Sequence, residues 1–288
     1  MGRLWQVSAR LFVNNIHKRC GITDLRPTVG EGFITERTWN SLFQSSEDSV
    51  LSSFPIKITA IDGSIRENFS GWNSGSFLIP GGNLHVRSAP NFSDEPITYG
   101  NSQSRGYMQD VYEDFRSVCS TEEFVSFLEG GSQTSKSLYL AGVSLSSVCK
   151  PVPSFPVPSQ LARLLLPNAP LIYMGKGNQR TPLHFDPTGN LVLVVRGRKT
   201  FDLFPPSSSH LLNPIGGLVE AFLSWYGGWV PAVYSRYRGD ESQLEEIPGR
   251  IRVHLEAGEG LWMPPCWWHG VSGGQDPNVI LVFGTRPV

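Results

Sequence analysis

The chain has 288 residues, is 40% hydrophobic and sets 24 Lys and Arg against 25 Asp and Glu, a formal charge of −1. That length and apolar content suffice for a large buried core and exclude a disordered chain. The balanced charge supplies no broad field for nucleic acid or an anionic membrane surface, so either partner would need a local patch.

The opening stretch "MGRLWQVSARLFVNNIHKRC" has neither the continuous apolar core nor the small-residue cleavage site of a signal peptide, and no run of about 18 apolar residues follows. Cys20, Cys119, Cys149 and Cys266 form no CxxC pair, which points to free thiols in a reducing compartment. The expected location is intracellular: cytoplasm, nucleus or an organelle. Residues 1–135 are rich in Ser, Gly and Asn, with short apolar clusters such as "SGSFLIP", and are expected to form an elaboration packed on the core. Within them "TEEFVSFLEGG" predicts an amphipathic helix, with Thr121 as N-cap and Phe124, Val125 and Leu128 on one face. A short strand, "SLYLAGVSL", precedes "KPVPSFPVPSQ", whose four prolines predict an extended connector.

From Leu171 onward "LIYMG", "LVLVV", "KTFDLF", "IRVHLEA", "GLWMP" and "VILVFG" read as short strands, a spacing that suggests an antiparallel barrel or sandwich. The expected catalytic domain is residues 136–288, interrupted at about 207–249 by partly helical, aromatic-rich sequence. Because that insertion lies between the strand bearing Lys199 and the strand leading to His269, its part from Gly216 to Gly249 is a candidate substrate entrance. Trp225, Tyr226, Trp229, Tyr234 and Tyr237 would give apolar contacts there, and Arg236 or Arg238 a polar one. Packing of these aromatics against the outside of the barrel is the equal alternative.

The chemistry-bearing stretch is "TPLHFDPTGN", residues 181–190. Side chains at i and i+2 of a strand share a face, so His184 and Asp186 aim a nitrogen and an oxygen at one point. His269, 83 residues beyond Asp186 in "GEGLWMPPCWWHGV", is a candidate third ligand. Two histidines and a carboxylate on one face of an octahedron leave three positions open. On residues alone a polar strand edge remains the competing reading. Trp267 and Trp268 are candidate core aromatics. A hairpin over "RGR" would put Lys199, Phe201 and Leu203 on one face; a buried Lys199 would need an anion, and a solvated lysine is the equal alternative.

The runs "MGKGNQRTPLHFDPTGNLVLVVRGRKTFDLFPP" and "EAGEGLWMPPCWWHGV" resemble the Jumonji C-type, cupin-like Fe(II)- and 2-oxoglutarate-dependent oxygenases, in particular the small hydroxylase branch that includes the asparaginyl hydroxylase acting on hypoxia-inducible factor. The resemblance covers about residues 137–286. It implies a mainly β, double-stranded β-helix (jelly-roll, cupin-like) core with surrounding helices. His184, Asp186 and His269 would be the iron ligands and so the catalytic residues. Thr181, Lys199 and Tyr139 would bind the distal carboxylate of 2-oxoglutarate, with Asn190 near metal and cosubstrate and dioxygen as the second cosubstrate. Where that hydroxylase has an asparagine this chain has Gly284, and the sequence stops at Val288, short of the helices through which that relative dimerises, so the resemblance carries no oligomeric state.

The expected function is hydroxylation of an amino-acid side chain in a protein or peptide, with no membrane partner. Hydroxylation of a tRNA base and N-methyl-lysine demethylation are alternatives with the same chemistry. A non-catalytic cupin-like binding module and a simple cupin isomerase or dioxygenase are alternatives from other classes.

Overall fold

Apolar runs that must be covered on both faces fix the centre of the molecule. The computed structural model describes residues 2–22, 35–39, 41, 54–61, 63, 67, 72, 77–90, 115–130, 136–152, 163–167, 170–177, 179–215, 232–235, 237 and 244–285. Four short strands come first: β1 (Thr35–Arg37), β2 (Ile56–Ile58), β3 (Asn83–Pro90) and β4 (Phe115–Ser120). They are followed by β5 (Lys136–Ser144), β6 (Leu171–Gly175), β7 (Arg180–Phe185), β8 (Asn190–Arg196), β9 (Arg198–Phe204), β10 (Val233–Tyr234), β11 (Ile251–Glu256), β12 (Gly260–Met263), β13 (Trp268–Gly273) and β14 (Asn278–Gly284).

The strands form two sheets, one in the order β1-β2-β12-β8-β14-β6-β5-β3-β4 and one in the order β10-β7-β13-β9-β11. Successive strands from β6 to β9 and from β11 to β14 alternate between the sheets, as a cupin-like jelly roll requires. In β8, Val192 and Val194 face the opposite sheet while Leu191 and Leu193 face outward into a second cluster, which is why "NLVLVV" is apolar at nearly every position. The space between the sheets is filled by Val192, Val194, Phe201, Leu203, Val253, Leu255 and Met263, among others. At the edge, β11 alternates strictly, with Ile251, Val253 and Leu255 inside and Arg252, His254 and Glu256 outside.

Helices cover the outer faces. Helix α1 (Gly2–Arg19) packs Phe12, Val13 and Ile16 against Leu183, Phe185, Phe204 and Trp268 of the smaller sheet. Its apolar residues recur at helical spacing, interrupted on the same side by His17 and Cys20. Helix α2 (Thr121–Glu129) packs Phe124, Phe127 and Leu128 on the larger sheet, with Val125 only partly buried. Its N-cap is Ser120 rather than Thr121: the Ser120 hydroxyl accepts from the Glu123 amide at 3.1 Å, while the Thr121 hydroxyl donates back to the Ile79 carbonyl at 2.9 Å. Gly130 closes the helix in the left-handed conformation, φ 82°. All four cysteines are free thiols.

His17 is an exception to the apolar packing of α1. It is buried with neither ring nitrogen hydrogen-bonded, and that desolvation lowers its pKa to about 4. Below the ordinary histidine value of 6.5 the unfolded chain therefore binds more protons than the folded one, so stability falls as pH drops from about 6.5 toward 4. Replacing His17 by Leu should remove this slope and raise stability at neutral pH by about 1–3 kcal/mol. Urea unfolding at several pH values measures both effects.

Candidate metal centre

Strand register brings the two histidines together. β13 pairs antiparallel with β7 so that His269 lies opposite His184, and their ring centroids are 4.2 Å apart. Each imidazole places Nδ1 against a backbone carbonyl two residues earlier, Pro182 at 2.8 Å and Trp267 at 3.0 Å. A Nδ1–H donated there leaves each Nε2 as a free lone pair aimed elsewhere. Asp186 follows β7 in a short turn to β8. One ligand atom from each of His184, Asp186 and His269 lies within 4.8 Å of the others, the only such group of three among the described residues. The His269 Nε2 is 3.8 Å from the Asp186 Oδ2. Desolvation, and next the neighbouring His184, lower the His269 pKa to about 4, so the ring is a neutral donor at physiological pH.

The turn carrying Asp186 is fastened by backbone bonds. The Asp186 carbonyl accepts from the Cys266 amide at 2.8 Å, and Gly189 exchanges bonds with Thr285 through the Thr285 hydroxyl at 3.0 Å and the Thr285 amide at 2.9 Å. Gly189 is required: a Cβ there would lie 2.4 Å from the Trp262 ring. Asn190 opens β8 and donates its side-chain amide to the Asp186 Oδ2 at 2.7 Å, which orients the carboxylate. Cys266 adopts φ 62°, a left-handed conformation uncommon for a side chain with a Cβ, in the turn that delivers His269.

A cavity of about 350 Å³ contains the three residues, and Tyr139, Thr181 and Asn190 also line it. Lys199 is not part of that wall. It is 1% exposed, faces inward with Phe201 and Leu203, and its ammonium lies 5.3 Å from the centre of the Tyr139 ring, which does line the cavity. No carboxylate of a described residue forms an ion pair with it, and desolvation lowers its pKa from 10.5 to about 7. A buried ammonium thus lies beside a cavity lined by the three-residue cluster and by Thr181 and Tyr139. A divalent metal fits the nitrogen and oxygen donors. A dicarboxylate fits the buried Lys199 with the Thr181 and Tyr139 hydroxyls.

Both Trp267 and Trp268 are buried, and Trp268 donates its indole N–H to the Ser209 hydroxyl at 2.7 Å. Of the aromatic insertion, Trp225, Tyr226, Trp229, Arg236 and Arg238 lie outside the described residues, as does most of the proline-rich connector. Tyr234 is described: it pairs with His184 across β10 and β7, and its ring stacks on the imidazole at 5.0 Å and 13°. Tyr237 packs against the cluster under α1 instead. Sequence reading missed Tyr173, which lines the cavity from β6 and whose phenol is pushed up by burial and by the Asp186 charge. The alternation Leu171, Tyr173, Gly175 marks one face of β6, but nothing local says that this face is the cavity.

The arrangement of two sheets, a histidine and aspartate at the end of one strand and a second histidine on the strand beside it defines a jelly-roll protein with a three-residue group that could hold a metal ion. A model of the cupin-like domain matches residues 85–283, and the chain belongs to that family. The HSPB1-associated protein 1 homolog of Danio rerio is 32% identical over 117 residues, covering 38% of this chain and 24% of that protein. The lysine-specific demethylase JMJ31 of Arabidopsis thaliana is 32% identical over 103 residues, 36% of this chain and 18% of that protein. The Jumonji C domain-containing protein 5 of Drosophila melanogaster is 27% identical over 118 residues, 38% of this chain and 26% of that protein. The matched part of this chain thus spans a quarter or less of the first two relatives. Among the described residues no helix is long and apolar enough to cross a membrane.

Asn190→Ala should weaken divalent metal binding by about 10–100-fold, because the Asp186 carboxylate loses the group that orients it. Isothermal titration with Mn(II) tests this. Lys199→Met should raise the thermal stability of the ligand-free chain, since it removes a buried charge. It should also abolish stabilisation by 2-oxoglutarate. In the wild type, a bound carboxylate would raise the Lys199 pKa above its value of about 7, so 2-oxoglutarate affinity should fall as pH rises from 7 to 9 and the variant should show no such slope.

Proposed function

We propose that this chain is an Fe(II)- and 2-oxoglutarate-dependent dioxygenase that hydroxylates an amino-acid side chain of a protein or peptide. The observation that carries the reading is the pairing, in one interior, of the His184, Asp186 and His269 cluster with the fully buried Lys199. A non-catalytic module would need the metal cluster alone, if that; a buried, desolvated ammonium is a cost that an anionic cosubstrate offsets.

In this reading His184, Asp186 and His269 hold iron through the two Nε2 atoms and a carboxylate oxygen, and Asn190 keeps that carboxylate in position. Iron, when bound, supplies the activation of dioxygen. The Lys199 ammonium receives the remote carboxylate of 2-oxoglutarate, with the Thr181 and Tyr139 hydroxyls as further donors. Tyr234 buttresses His184 from the neighbouring strand. Overall, a substrate C–H, dioxygen and 2-oxoglutarate become C–OH, carbon dioxide and succinate. Residues 136–288 carry this chemistry, and residues 1–135 support it.

One observation favours a second reading. A relative is named a lysine-specific demethylase, and hydroxylation of an N-methyl group followed by loss of formaldehyde uses the same centre. Formaldehyde release separates the two readings.

Succinate formation from 2-oxoglutarate, followed by NMR with Fe(II) present, is the direct test. Asp186→Ala should bring it to background, and Lys199→Ala should weaken 2-oxoglutarate binding by about 2–5 kcal/mol while leaving metal affinity nearly unchanged. Wild-type-like succinate production by Asp186→Ala would place the catalytic ion elsewhere.

A further inference from the structure

The two ends of the cavity differ in chemistry. Strand register gives the cavity a direction: Tyr139 pairs with Gly175 at one end of β6, and Val282 pairs with Leu171 at the other. The Tyr139 end is the floor, beside buried Lys199. At the opposite end the wall consists of Leu166, Pro170, Leu171, Val282 and Phe283, and Leu166 and Leu171 are 41% and 38% exposed. Large exposed aliphatic residues gathered at the mouth of a site mark a surface that a ligand covers.

Leu166 holds its place through Gly284. Its amide donates to the Gly284 carbonyl at 2.8 Å, and the adjacent Leu165 bridges to Thr285. A Cβ on Gly284 would lie 3.2 Å from the Leu166 Cδ1 and 4.0 Å from the Asn190 Oδ1. Beside the amide that orients Asp186, then, the wall presents a leucine methyl in space that a side chain at position 284 would crowd. No Lys or Arg is among the described residues lining the cavity, and its one carboxylate, Asp186, is committed to Asn190 and the metal cluster. Arg163, exposed and three residues before Leu166, is the described cation nearest this edge in sequence, and it does not line the cavity.

We propose that the group admitted past Leu166 and Leu171 is an uncharged, largely aliphatic side chain on a protein segment. The proposal rests on the oxygenase reading and names its substrate class. A lysine or methyl-lysine cation would be desolvated at this mouth with no anion among the described lining residues to receive it except Asp186, which Asn190 already engages. Among the described residues that line the cavity a nucleic acid would find no cation for its phosphates. An aliphatic side chain replaces water on the exposed leucines and brings a C–H bond toward the three-residue cluster.

The test treats proteins and RNA from a cell extract separately with Fe(II), 2-oxoglutarate and either the wild-type chain or Asp186→Ala, then locates products by mass spectrometry. One-oxygen gains that depend on the wild type and fall on uncharged side chains are expected. A synthetic peptide carrying the mapped site should then show a KM about tenfold higher with Leu166→Glu, from lost apolar contact and an added charge, with a smaller change in kcat. Products on lysine or arginine, methyl loss from lysine, products confined to RNA, or 2-oxoglutarate turnover with no protein product would each overturn the substrate class and leave the oxygenase reading standing. An unchanged KM in Leu166→Glu would overturn the assignment of the mouth. Absence of both turnover and product in the wild type would overturn the oxygenase reading itself.

Discussion

The antiparallel pairing of β7 with β13 is the constraint on which the site depends. It sets His184 and His269 directly opposite one another, close enough for their rings to approach to 4.2 Å. β13 is paired on both sides, by β7 and by β9, so a slip of one residue would break two ladders and turn His269 out of the cavity. The carboxylate enters differently. Asp186 sits where the chain leaves the smaller sheet and crosses to the larger, and a crossing turn has no ladder to hold it. Thr285, Cys266 and the close packing of Gly189 on Trp262 take over that task.

Electrostatics divide the interior along its length. The Asp186 carboxylate accepts from the Asn190 amide, and burial first, with the Asp186 charge second, raises the pKa of Tyr173 and keeps that phenol protonated. Lys199 has no such local partner among the described residues beyond the face of the Tyr139 ring. Among the described residues no anion offsets the desolvation of the Lys199 ammonium, which is why its pKa falls to about 7. Such a cost persists where a ligand completes the interaction, and under the proposed function a dicarboxylate reaching from the His184, Asp186 and His269 cluster toward Lys199 would complete it.

The core strands were legible because burial on one or both faces leaves a direct imprint on sequence. "NLVLVV" and "IRVHLEA" show the two cases, a strand covered on both faces and an edge strand with one wet face. The His-x-Asp pair was legible for the same reason, since two-residue periodicity puts both side chains together. The segments before residue 135 were harder: β1 and β2 are three residues each, too short for alternation to show, and they earn their place only by extending a sheet formed mainly by later sequence. Helix α1 escaped notice because polar residues interrupt its apolar stripe, among them the buried His17. At Gly284 the sequence marks only an absent side chain. That Leu166, 118 residues earlier, occupies the space is a long-range contact with no local signature.

Packing on the dry side of the smaller sheet governs geometry on the wet side. Phe185 lies between His184 and Asp186, and Trp268 immediately precedes His269; because strand side chains alternate, both aromatics point away from the cavity. There they meet edge to face, 4.8 Å apart at 82°, under Phe12 and Ile16 of α1. Cys20, just past the end of α1, donates its thiol to the Pro187 carbonyl at 3.2 Å, one residue beyond Asp186. Rotation of either histidine out of position would have to displace a buried aromatic ring, and movement of the Asp186 turn would have to break its tie to α1. Residues that do not line the cavity thus supply the rigidity that fixes the relative positions of His184, Asp186 and His269.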